Sequence, residues 1–406
     1  MKSSLWKNII ISYASYFRLL KRTFLHSRHT QARLTPRRFV TMLIFCPALL
    51  LLQTCHWLGF LLDEILFPRY KQVHIHQPLF ILGVPRSGTT FLHRFLAADR
   101  HTFTTITLWE LVLAPSIIQR KIVLGLAALD RFFGAPAYRL IRLLEQSAWG
   151  GLDTIHKISL SDPEEDYFFL VPIYACFLLI LPFPFFDELG HLAFFDDQTP
   201  APDRQRIMSF YKRCLQRHLY VRGTDKILLS KNVSFGPMAA TLADTFPDGR
   251  IIGTVRHPGR AVPSHISSMM TGAALFDNNT RGHVFRDQMI EVQRYAYAHL
   301  DEILSRLPGN RHLTVKMEDM QTDLRQVITT IYQQFGYTMT EEFTWFLHRE
   351  NRQQKNYTSG HRYDLAAYDM TEKQILQRFA DACHRFGYTL SDEAKRRPSA
   401  VDARTG

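Results

Sequence analysis

Short apolar runs alternate with polar, helix-spaced segments over most of this chain, and their order predicts its architecture. Leu79, Phe80, Ile81 and Leu82 are four apolar residues in succession, the pattern of a strand buried on both faces. Gly83 to Thr90 follows with no bulky side chain at its turn, and Phe91, Leu92, Phe95 and Leu96 then recur at helical spacing. Thr102 to Leu108 has β-branched strand character, with Trp109-Glu110 at its end. Lys226 to Leu229 reads as a strand running into Ser230-Lys231-Asn232. Arg250 to Val255 and His312 to Lys316 are further strands, and helices are expected over 203–221, 234–246 and from about Asp323 to Phe335. Strands alternating with helices imply a central parallel sheet flanked by helices, with ligands at the carboxyl ends of the strands.

Three other stretches break this rhythm. In residues 1–34, Leu5, Trp6, Ile9, Ile10, Tyr13, Tyr16, Phe17 and Leu20 recur at helical spacing among basic residues, the signature of an interfacial amphipathic helix. Thr35-Pro36 is a helix-start signal, and Phe39 to Leu62 follows as 24 residues without a charge, enough to span a bilayer. If it spans, Arg37 and Arg38 put the N-terminus in the cytosol and the rest of the chain on the far side. The preferred reading is a monotopic helix that keeps the chain on the cytosolic face. Residues 111–147 are expected to be helical and mostly apolar, with Arg120, Lys121, Arg131, Arg139 and Arg142 on an exposed side. Asp162 to Phe186 opens with helix-capping acids and continues through 20 apolar residues interrupted by Pro172, Pro182 and Pro184. It is expected to be a lid or wall of an apolar site rather than a second span.

Composition sharpens the class. With 406 residues, thirty Phe and sixteen Tyr, the chain can build a large apolar core or pocket. The net charge of +12 is uneven: nine basic residues and no acid precede Asp63, leaving about +3 for the rest, so no nucleic-acid partner is expected. Five scattered Cys with no C-x-x-C pair indicate neither a zinc site nor a disulfide framework.

Strand, Gly/Ser/Thr loop and helix together make an anion cradle, because backbone N–H groups at the helix start face the loop and the helix dipole favours negative charge there. Gly83 to Thr90 has Walker A spacing, but Thr89 stands where the phosphate-binding Lys belongs, and Arg86 is the cation within the loop. Arg256-His257-Pro258, with Ser264 eight residues after Arg256, forms a second anion element at the end of another strand. Two anion sites on neighbouring strands suit a nucleotide phosphorylated at both ends and do not suit ATP.

The run Pro85-Arg86-Ser87-Gly88-Thr89-Thr90 resembles the 5′-phosphosulfate loop of sulfotransferases that use 3′-phosphoadenosine 5′-phosphosulfate, and in particular the bacterial-type family. The resemblance covers about residues 75–390. It implies an α/β, P-loop-like three-layer sandwich in which Pro85, Arg86, Ser87, Gly88, Thr89 and Thr90 hold the phosphosulfate while Arg256 and Ser264 grip the 3′-phosphate. It also implies that Lys231 faces the donor. Glu110, in a Trp-Glu-Leu sequence like that of related enzymes, is the expected base for the acceptor hydroxyl, with His156 as runner-up. Glu164 and Glu165 are read as helix-capping acids. Tyr357 to Leu365, with His361, Arg362 and Tyr363, resembles the tail of bacterial members. Two departures stand out: Arg86 and Arg256 are 170 residues apart, longer than in phenol-type enzymes, and the adenine-binding loop of those enzymes is missing.

The expected organisation is a basic arm and membrane-associated helix over 1–70, a sulfotransferase domain over 71–390 with an apolar helical insert at about 111–221, and a flexible tail over 391–406. The expected reaction moves a sulfonate to a hydroxyl on a small-molecule, apolar or lipid-like acceptor, with Arg86 and Lys231 supplying the positive charge and no metal required. The competing readings are a P-loop nucleoside or small-molecule kinase and an inactive membrane-anchored scaffold.

Overall fold

Five short strands carry the fold in the computed structural model, which describes residues 2–140, 159–278, 283–354 and 370–388. They are β1 (Leu79–Gly83), β2 (Phe103–Thr105), β3 (Ile227–Lys231), β4 (Arg250–Val255) and β5 (His312–Lys316). All pair in parallel, in the order β2-β3-β1-β4-β5. β1 is therefore central, with Ile81 opposite Lys231 on one side and Gly83 opposite Thr254 on the other.

Alternation along β1 separates two cores. Leu79 and Ile81 face α3 (Thr89–Ala98) and a helix at Met317–Phe335, through Leu92, Leu96, Leu324 and Ile328. Phe80 and Leu82 face the other way, toward Phe246 and the helices at Ala201–Arg222 and His283–Arg306. This is the three-layer sandwich that the strand–helix rhythm implies. The second core is continuous with the N-terminal hairpin of α1 (Lys2–Leu25) and α2 (Pro36–Leu66), whose Tyr16, Met42, Cys46, Trp57 and Phe60 are buried in it. Thr35 caps α2 by accepting from Arg38 N at 3.1 Å, with Pro36 in the first turn, as its sequence predicts.

Several expectations change. The strand expected through Leu108 stops at Thr105, because Thr107 forms a capping box with Glu110 and starts the short helix α4 (Leu108–Val112). Asp162 to Phe186 is not a helix. It folds into 3₁₀ turns at Asp166–Ile173 and Phe177–Ile180, separated where Tyr174 turns left-handed, and most of its aromatic and aliphatic side chains are core. In α5 (Ile117–Phe132) the expected polarity is reversed near its start: Arg120 is fully buried, while Ile122, Leu126 and Leu129 are exposed. The helix expected from about Asp323 starts there, and a further helical turn from Met317 precedes it. Asp323 is a kink with extended backbone whose carboxylate accepts from Gln326 N at 3.1 Å, the local start that its sequence signals.

Candidate active site

The carboxyl ends of β3, β1 and β4 stand side by side, and each carries one expected cation: Lys231, Arg86 and Arg256. The loop after β1 is held by its neighbours rather than by its own side chains alone. Val84 N donates to Thr254 O at 3.0 Å, Ser87 Oγ lies 2.6 Å from Thr254 Oγ1, and Gln293 Nε2 donates to Pro85 O at 3.1 Å. Gly83 is required because a Cβ there would collide with Thr254 Oγ1 and approach Ser87 Oγ within 2.7 Å. Gly88 is required twice over: its φ is +87°, and a Cβ would strike Met317. Gly88 is also the N-cap of α3 and so supplies no side chain to that helix start. The α3 terminus therefore keeps amide donors suited to an anion.

Two motifs read as separate anion sites meet here. Arg86, in left-handed backbone at φ +69°, donates from Nε to Ser264 Oγ at 2.8 Å. Arg256 donates from its guanidinium to Arg86 O at 3.2 Å. Ser264 lies in the helix Pro258–Ala274, whose start is fixed by His257 Nδ1 accepting from Gly259 N. Pro85, Arg86, Gly88 and Thr90 are half-buried, while Ser87 and Thr89 are buried.

Lys231 is almost completely buried, yet its ammonium donates to Glu165 Oε1 at 2.8 Å and lies 3.8 Å from Glu164 Oε1. These glutamates arrive by a long-range pairing. Thr107 bridges Pro163 in antiparallel fashion, and Glu164 N donates to Ile106 O at 3.1 Å, laying the 160s segment against the end of β2. Glu165 precedes a 3₁₀ turn but makes no side-chain cap bond, so its helix-capping reading is corrected: its partner is Lys231.

Glu110 has a different environment from the expected one. It follows β2, which β3 separates from β1, and the carboxylate is fully buried. Its Oε2 accepts from Thr107 N and Thr107 Oγ1, both at 2.9 Å, and its Oε1 accepts from Arg222 Nε at 2.9 Å. Burial pushes its pKa up, but Arg120, His218 and Arg222 outweigh burial and hold the carboxyl at about 2. His218 lies 3.8 Å away, and burial lowers its pKa to about 3, which leaves it neutral. His156, His361, Arg362 and Tyr363 lie outside the described residues.

Asp166, next to Glu165 in the chain, is buried. One oxygen accepts from Tyr211 OH at 2.7 Å, and that hydroxyl also lies 3.1 Å from Ser230 Oγ. Burial raises the Asp166 carboxyl from 3.8 to about 7. The folded chain thus holds a proton that the unfolded chain sheds above pH 4. The stability it contributes is complete below about pH 4 and is lost as pH rises through about 7. Asp166→Asn should abolish that decline, so the difference between wild-type and variant melting temperatures should change between pH 4 and 7 and be flat above.

Comparison with known proteins gives the family and the fold. A family model described as "Sulfotransferase family" matches residues 78–150 and 183–341, more than half of the chain. The omega-hydroxy-beta-dihydromenaquinone-9 sulfotransferases Stf3 of Mycobacterium bovis and Mycobacterium tuberculosis are 26% identical over 339 residues, which cover 79% of this chain and 78% of theirs. Among solved structures, sulfotransferase STF9 from Mycobacterium avium superposes with a TM-score of 0.70 at 18% identity, covering 88% of this chain and 87% of its own. Sulfotransferase STF1 from Mycobacterium tuberculosis H37Rv does so with a TM-score of 0.65 at 19% identity, covering 90% and 92%. Both share the fold.

Proposed function

This chain belongs to the sulfotransferase family and is a bacterial-type sulfotransferase enzyme, and from that premise we propose that it transfers a sulfonate from 3′-phosphoadenosine 5′-phosphosulfate to a hydroxyl of a lipid-like acceptor. The observation that carries the donor reading is the alignment of Arg86, Lys231 and Arg256 on three adjacent strand ends beside the N-terminus of α3. The acceptor reading is supported by the name of the Stf3 relatives, which describes a hydroxylated menaquinone, and by the apolar α2. A cytosolic supply of the donor favours membrane association on the cytosolic face.

In this proposal Arg86, Ser87, Thr89, Thr90 and the amides at the start of α3 hold the phosphosulfate, with Pro85 and Gly88 shaping the loop. Arg256 and Ser264 hold the 3′-phosphate. Glu165 takes the base role expected of Glu110, because it faces Lys231 whereas the Glu110 carboxylate is saturated by donors and held at low pKa. Glu165 accepts the acceptor's O–H proton as the new S–O bond forms and the bond from sulfur to the 5′-phosphate oxygen breaks. Once protonated, Glu165 no longer neutralises Lys231, and the ammonium's charge becomes available to the leaving phosphate oxygen. The kinase reading fails on Thr89, which replaces the phosphate-binding Lys, and on the second cation element at Arg256.

Calorimetry with 3′,5′-phosphoadenosine and with ATP tests the donor reading. The bisphosphate should bind, and Arg256→Ala should weaken it by roughly 10- to 100-fold, the range for loss of a charged hydrogen bond. ATP binding without bisphosphate binding would falsify the proposal.

A further inference from the structure

α2 is long and apolar enough to cross a bilayer, but its contacts fasten one face of it to the catalytic body along its whole length. Near its start, Arg38 is fully buried and donates to Phe276 O at 2.8 Å and to Pro182 O at 2.9 Å. In its middle, Gln53 Oε1 accepts from Tyr174 OH at 3.1 Å. Near its end, buried Asp63 accepts from Arg217 Nε at 2.9 Å and from Ile117 N at 2.9 Å. A helix threaded through a membrane would have to release both buried charges and the core side chains between them. The opposite face is a continuous uncharged stripe, on which Val40, Ile44, Leu51, Leu58, Leu62 and Ile65 are exposed.

α5 packs beside α2 and carries exposed apolar side chains of its own. Its first turn is anchored on α2, where Asp63 accepts from Ile117 N and from Ile118 N. Beyond Arg120 it leaves the core: Ile122, Leu126, Leu129, Phe132 and Phe133 are all exposed, Phe132 at 83%. Residues 122–129 contain no charge. A helix that is apolar and exposed on several sides is unstable against water and suits hydrocarbon. Charge identifies the hydrocarbon's border. No acid precedes Asp63, while Lys7, Lys21, Arg28, Arg33 and Arg37 are exposed around the hairpin. That is the pattern drawn to anionic headgroups.

We infer that the outer stripe of α2 and the body of α5 form an in-plane seat on an anionic bilayer leaflet, with α5 entering the acyl region and the whole described chain on one side of the membrane. The inference rests on the membrane association proposed above and specifies its geometry. A catalytic edge held beside a leaflet could take a lipid hydroxyl without extracting the whole lipid into water.

The test uses the full chain added to sealed vesicles of phosphatidylcholine, with or without phosphatidylglycerol. Flotation should be stronger with the anionic lipid. A Leu126→Glu/Phe132→Glu variant should float at least about tenfold less well, with bisphosphate binding unchanged as the sign that it is folded. Absence of flotation with either vesicle overturns membrane association itself. Flotation that persists in the double variant overturns the seat alone. Self-association broken by the double variant, without vesicle binding, makes the patch a contact between copies and also overturns the inference. Topology is read with an impermeant maleimide on His29→Cys and Thr224→Cys, each made with Cys55→Ser, in sealed vesicles of the expressing membrane. Labelling of both from the same side supports the in-plane seat, and labelling from opposite sides overturns it.

Discussion

Glu165→Gln is expected to lower turnover by about 10²- to 10⁴-fold while leaving bisphosphate affinity within a few-fold of wild type, because the range is that of a lost general base. The amide keeps the shape of the side chain and can still accept from Lys231, so donor binding should survive. What it cannot do is accept the acceptor's proton. Glu110→Gln is the informative contrast. Glu110 is fully buried beside Arg120, whose terminal nitrogens have no hydrogen-bond partner among the described residues and rely on the nearby carboxylate for compensation. Removing that charge should destabilise the fold by about 3–5 kcal/mol, the cost of breaking a buried charge pairing. Whatever folded Glu110→Gln enzyme remains should turn over at close to the wild-type rate. Measuring chemical denaturation and single-turnover transfer on both variants separates the roles. If Glu110→Gln is stable but inactive and Glu165→Gln stays active, the assignment reverts to Glu110.

The two glutamates differ in how far the sequence around each discloses its surroundings. That the Gly83–Thr90 loop, Lys231 and Arg256 lie at strand ends was legible because each depends on a local sequence: an apolar strand followed within a few residues by glycines, hydroxyls or a cation. The direct bond from Arg86 to Ser264 was less legible: the two elements were expected on neighbouring strands but as separate anion sites, and only the folded positions of loop and helix bring the two side chains together. The Glu165–Lys231 contact was hidden further. Asp162-Pro163-Glu164-Glu165 has the composition of a helix start, and only the bridge from Pro163 to Thr107 shows that the segment is laid against the sheet edge beside Lys231. The surroundings of Glu110 were hidden for a related reason. Thr107 and Glu110 form a capping box that ends the strand three residues early, a signal present in the sequence but outweighed by the β-branched run before it. The apolar segments show the same limit. Periodicity found them, but whether an apolar face meets core or solvent depends on partners far along the chain, as the reversed polarity of α5 shows.

Asp63→Ala should be the most destabilising single substitution in the N-terminal region, lowering stability by about 3–5 kcal/mol. Asp63 joins three elements at once. It neutralises Arg217, which is 1% exposed and packed between the rings of Phe60 and Tyr70 at 4.8 and 4.3 Å. It also accepts from two backbone N–H groups at the start of α5. Alanine leaves the guanidinium buried with Glu64 as its remaining carboxylate, at 3.2 Å, and leaves both α5 amides without that acceptor. A typical domain is stable by only about 5–15 kcal/mol, so a loss of this size should shift the denaturation midpoint severely. Arg217→Met should cost less, because the carboxylate keeps its two amide donors. That loss should shrink further as pH falls, since an orphaned carboxyl can take up a proton whereas an orphaned guanidinium cannot shed one. Urea melts of both variants at pH 5 and pH 8 check the asymmetry. Equal, pH-independent losses would mean that the pair acts only through packing, and that Asp63 does not fasten α5 to α2.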